Sequence, residues 1–134
     1  MAANTSPLYP LTPVVGHGII VATSTARTQV VGTGTNTSVT AASTDGLRID
    51  AIRVQATAAT AAACITLWIY DGTNQDLFDE IVVSAVTPGN TTPAFSAVKY
   101  YDPPLVLPAT YRIFAATTIG QNTNVFAHGG AFST

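Results

Sequence analysis

The side chains able to do chemistry are few and scattered. His17 and His128 are the only histidines in 134 residues. No third ligand stands near either at a metal-binding spacing, so each reads as a surface or structural residue, not as a ligand or general base. Four acids, Asp71, Asp76, Asp79 and Glu80, fall close together in sequence. Their spacing departs from the calcium loop of an EF-hand. A glycosidase pair would need two carboxyls facing each other across a cleft, a relation that spacing cannot supply. The plainer reading gives Asp71 to a turn and sets Asp76, Asp79 and Glu80 along a solvated strand edge, where charge also discourages unwanted strand addition.

The nucleophiles are equally bare. No serine lies in a G-x-S-x-G elbow. Cys64 is the single cysteine, which excludes an internal disulfide, and its apolar surroundings in sequence read as a buried, inert thiol. Gly32-Thr33-Gly34 has the glycines of a phosphate-cradling loop but neither the lysine nor a following helix pattern. The chain is therefore expected to be no enzyme, with no catalytic residue, no metal and no cofactor.

What would position such residues is a β-rich chain of unusual composition. Only 9% of residues are charged, against roughly 25% in an ordinary soluble domain. Mean hydropathy is +0.34. Charge normally keeps monomers apart, so a surface this poor in it is expected to be covered by other protein. Five cations, Arg27, Arg48, Arg53, Lys99 and Arg112, and a net charge of −2 make no stripe for tracking phosphates, and nucleic-acid binding is not expected. The longest apolar runs fall far short of the ~20 residues of a spanning helix, so no membrane partner is expected. The start carries no basic segment ahead of an apolar one, so no secretory signal is expected. A chain expected to be made in the cytoplasm yet composed like an outward-facing β-protein fits a virion component released by lysis of a host cell.

The pattern along the chain predicts one all-β domain. Pro7, Pro10 and Pro13 preclude a helix or central strand at the start, so residues 1–16 read as an extended arm and 17–134 as the domain. The arm's apolar residues, Leu8, Tyr9, Leu11, Val14 and Val15, are candidates for a groove on this or a neighbouring subunit. Beyond it, β-branched and aromatic runs broken by Gly, Pro, Asn and Asp predict eight strands, at 18–23, 35–41, 47–57, 64–70, 77–86, 94–101, 110–117 and 124–128. The alanine-rich 56–63 lacks helix start and stop signals and reads as strand end plus loop. Leu47 and Ile49 share one parity, Ile52 and Val54 the other; a bulge near Asp50-Ala51 would bring all four to one face. Asp71-Gly72-Thr73-Asn74 predicts a tight hairpin turn, and Asp102-Pro103-Pro104 a strand stop. Eight short antiparallel strands point to a β-sandwich of the jelly-roll kind, with an immunoglobulin-like sandwich as the alternative.

Trp68 and Tyr70 alternate with the aliphatic Ile65, Leu67 and Ile69, so they are predicted on the opposite face of their strand. With Tyr100, Tyr101 and Tyr111 they could line a sugar-binding face. An intersubunit contact, where Tyr and Trp are enriched, is the reading preferred for Trp68 and Tyr70.

The stretch 45–54 (DGLRIDAIRV), the stretch 67–74 (LWIYDGTN), Thr87-Pro88, Thr92-Pro93-Ala94-Phe95, 107–113 (LPATYRI) and Gly129-Gly130-Ala131-Phe132 resemble small structural proteins of tailed bacteriophages. The similarity spans about residues 20–132 and consists of turns and strand ends, so it implies a fold and transfers no site. It implies a capsid decoration (cement) protein on the virion exterior, bound to the major capsid protein, often a homotrimer, with an arm reaching to neighbours. A tail or fibre component, or a glycan-binding receptor module, is the alternative.

Overall fold

A computed structural model describes residues 12–20 and 23–132. Among them are nine strands and no helix: β1 Thr12–Ile20, β2 Val30–Val31, β3 Thr37–Ser38, β4 Leu47–Ala56, β5 Ala63–Tyr70, β6 Asn74–Val83, β7 Ser96–Leu107, β8 Arg112–Thr117 and β9 Thr123–Ala131. They form two antiparallel sheets packed face to face, one in the order β1-β9-β4-β7 and one in the order β2-β6-β5-β8-β3. Between them lie the side chains of alternate positions, among them Ile52, Val54, Ile65, Leu67, Ile113 and Val125, all fully buried.

Three local predictions hold. The register of β4 against both neighbours shifts between Ile49 and Ala51, and Leu47, Ile49, Ile52 and Val54 all reach the core. The extra residue reverses the side-chain alternation there, as the switch of apolar parity requires. The β5–β6 turn closes through the Asp71 N–H on the Asn74 carbonyl at 3.1 Å. Asp71 Oδ1 accepts the N–H groups of Thr73 and Asn74 at 2.8 and 2.7 Å, and Gly72 takes the left-handed φ of 100° that the turn needs. Residues 57–62 form a loop rather than a helix.

Three others are corrected. There are nine strands rather than eight, because β2 pairs briefly with β6 within the residues 24–34 that were read as connection. The proline pair does not stop β7, which runs on to Leu107. β7 pairs only with β4, so its far side is a sheet edge where a missing N–H is tolerated. Residues 101–104 stand out opposite Asp50, between the pairs Ala51–Tyr100 and Ile49–Leu105. The expected boundary after Gly16 falls inside a continuous strand: β1 pairs with β9 from Thr12–Ala131 to Ile20–Thr123, so Val14 and Val15 sit opposite Gly129 and His128. Edge placement again accommodates Pro13. Leu8, Tyr9 and Leu11 lie outside the described residues.

Residues 24–36 make a strap over the outer face of the β5 sheet. The strap leaves β8 at Thr117, whose carbonyl accepts the Ser24 N–H at 2.9 Å. It crosses to pair as β2 with the far edge at β6, then returns to pair as β3 with β8. The Gln75 side chain, fully buried, pins the return: its Nε2 donates to the carbonyls of Gly32 and Thr33 and its Oε1 accepts from Asn36, at 2.7–2.9 Å.

Candidate functional site

Trp68 lies on the face opposite Ile65 and Leu67, as its parity requires, but 0% of it is exposed. Its indole N–H donates to Thr66 Oγ1 at 2.9 Å. It belongs to none of the inter-sheet core, and the strap of its own chain is what crosses that face. Tyr70 is half-buried in the same layer. Its hydroxyl donates to the Gly72 carbonyl at 2.9 Å, Phe114 meets its ring edge-on at 5.2 Å, and the Arg112 guanidinium stacks 5.1 Å from it. Trp68 is thus folded into the chain itself and has nothing left to offer a partner, while Tyr70 stays partly exposed.

The acidic run separates by role. Asp71 caps its turn, and the Asn74 and Thr73 N–H groups hold its carboxyl below the ordinary range. Asp76 accepts from Gln29 at 2.8 Å and Glu80 from Arg27 at 2.8 Å, both tying the strap to β6. Asp79 departs from the expected solvated edge. A register shift in β6 between its partners Leu67 and Trp68 brings it to the inner side, where Lys99 and Tyr101 of β7 both donate to its carboxylate. Burial pushes the Asp79 carboxyl up, but the hydrogen bonds from Lys99, Tyr101 and the Glu80 N–H, with the Lys99 charge, outweigh it and hold the group below its usual range. Burial, and then the bond to Asp79, push the Tyr101 phenol up. A lowered acid against a phenol kept protonated is a clasp joining the open edges of the two sheets; neither group is poised to exchange a proton near neutrality.

His17 and His128 share the outer face of the other sheet on adjacent strands. The His17 ring stacks on Phe126 at 4.8 Å with 17° between planes. Among the described residues no three His, Cys, Asp or Glu side chains converge on a metal position. Cys64 is half-buried rather than buried.

That outer face, of β1, β9, β4 and β7, carries the feature that sequence reasoning missed. The registers place His17, Phe126, Arg53 and Val98 in one row across four strands. The next row holds Val15, His128, Ala51 and Tyr100, and the row on the other side Ile19, Asn124, Gln55 and Ser96. Tyr100 is 79% exposed, Val106 60% and Ile19 54%, so large apolar side chains face solvent on both flanks. Between them lies an open depression of about 390 Å³ lined by Arg53, Gln55, Phe126 and His128. Its charge is unanswered. Arg27 pairs with Glu80, Arg48 with Asp50 and Lys99 with Asp79, and Arg112 stacks on two rings. Arg53 has no such partner among the described residues.

No protein-family model matches the chain, and no curated protein matches it in sequence.

Proposed function

We propose that the chain is a non-enzymatic virion structural protein, a capsid decoration (cement) protein that bridges and stabilises major capsid subunits as a homotrimer on the particle exterior. One observation carries the reading: a regular four-stranded face turned to solvent that bears Ile19, Val98, Tyr100 and Val106 in a chain with 9% charged residues. Four strands about 4.8 Å apart and some 26 Å long make a face of roughly 500 Å². That is over half of the ~800 Å² each partner buries in a standard stable interface. Repeated over every copy on a shell, such contacts clamp the seams between capsomers. The jelly-roll reading is part of the proposal. With the two-residue β2 set aside, eight strands numbered in chain order lie as 1-8-3-6 in one sheet and 5-4-7-2 in the other, an order that supports reading them as two Greek keys.

The test adds purified protein to particles that lack it and follows co-sedimentation and position in images. Wild type should label the shell, and a Val98→Ser, Tyr100→Ser double variant with an unchanged fold should bind at least about tenfold more weakly, from the ~2 kcal/mol of apolar burial removed. Absence of binding would overturn the reading. Label on the tail would replace it with the tail component.

A further inference from the structure

We propose that Arg53 and the depression beside it hold a carboxylate side chain, Asp or Glu, presented by the protein that covers this sheet face. The inference rests on the docking face assigned above and names the chemistry that meets its centre. Arg53 stands in the middle of the row between Phe126 and Val98. A partner laid over the apolar flanks takes water away from its guanidinium. A desolvated cation is costly unless an opposite charge answers it with good hydrogen bonds. No acid of this chain does so among the described residues, since Asp50 is engaged by Arg48 at 2.8 Å.

The planar guanidinium fork fits one carboxylate bidentately. Phe126, backed on one side by His17, gives the slot an apolar wall. His128 lies beyond it.

The same details favour a protein acid over an acidic sugar. A sugar ring carries many hydroxyls that need partners, but the Gln55 amide donors are already spent on the carbonyls of Ala56 and Phe95, at 3.1 and 3.4 Å. What remains suits one compact anion set in an apolar surround. Arginine beside an aromatic ring at the centre of a contact is also the composition of an interface hot spot.

The experiment titrates the isolated protein with a capped oligoglutamate peptide and follows the NMR signals of Arg53 Nε–H, Phe126 and His128. Oligoglutamine and a galacturonate oligomer are run beside it. Oligoglutamate should move those signals, less so as salt rises, while oligoglutamine leaves them in place. Arg53→Gln should weaken the response about fivefold, the upper end for losing one partner of a solvent-exposed ion pair, and Arg53→Lys should retain part of it because charge survives without the fork. The proposal is overturned if oligoglutamate leaves the signals in place, if Arg53→Gln responds like wild type, or if galacturonate binds more tightly than oligoglutamate. No particle is involved, so this result is independent of whether the protein labels shells.

Discussion

Trp68→Ala separates a face buried by the chain's own strap from a face buried by a partner. A buried tryptophan removes on the order of 200 Å² from water. Truncation to alanine forfeits about 150 Å² of that, or about 4 kcal/mol at ~25 cal/mol per Å², within the ~3–5 kcal/mol typical of such cavities. The indole's bond to Thr66 goes too, although Thr66 keeps the Ala116 carbonyl as a second partner at 3.4 Å. With a urea slope of about 2 kcal/mol per M for a domain of this size, the unfolding midpoint should fall by about 2 M. Trp68→Phe keeps an aromatic ring and should fall by less than half as much. Trp68 is the only tryptophan, so its fluorescence reports this site alone: in dilute monomer it should be blue-shifted and shielded from acrylamide. A midpoint shift below about 0.5 M together with solvent-exposed emission would refute the argument. It would mean that the strap leaves Trp68 open until a partner arrives.

Asp79→Asn leaves Lys99 without its counter-ion and should cost about 1–2 kcal/mol at neutral pH, as charge-assisted hydrogen bonds do. The folded-state pKa of Asp79 lies below its ordinary value, so this stabilisation is present above about pH 4 and is lost as pH falls through the folded-state value. Urea titrations down the acid range should show wild type and variant converging; a constant gap would exclude the clasp. Gly129→Ala would drive a methyl into the Arg48 carbonyl oxygen across the β4–β9 ladder, against backbone that cannot swing aside. The expected cost is at least about 3 kcal/mol, while Gly89→Ala, whose methyl meets nothing within 4 Å, should leave the midpoint unchanged.

What could be read from the residues was whatever depends on near neighbours. The bulge at Asp50 shows as a change of apolar parity inside one strand. The turn at Asp71 shows because its acceptor and the N–H groups it serves lie within three residues. The strand stop at Pro103 failed for a reason no local rule contains: a missing N–H matters only where a second strand needs it, and β7 has a neighbour on one side alone. Trp68 shows the same boundary. Its parity placed it correctly, yet the strap that crosses its face comes from some forty positions earlier in the chain, held by Gln75, Asp76 and Glu80.

The apolar outer face was hidden by an inversion. In β7 the charged Lys99 points inward, because Asp79 waits on the facing sheet, and this turns Val98 and Tyr100 out to solvent. Ordinary parity, which puts charge outside and apolar residues inside, reads that strand backwards. The inward ion pair and the outward apolar row are therefore one feature, since a strand's two faces are set by a single register. Any exchange that makes position 99 apolar and positions 98 and 100 charged would suit a solitary sandwich better. The chain has the opposite arrangement, which supports the proposal that a partner covers the β1-β9-β4-β7 face.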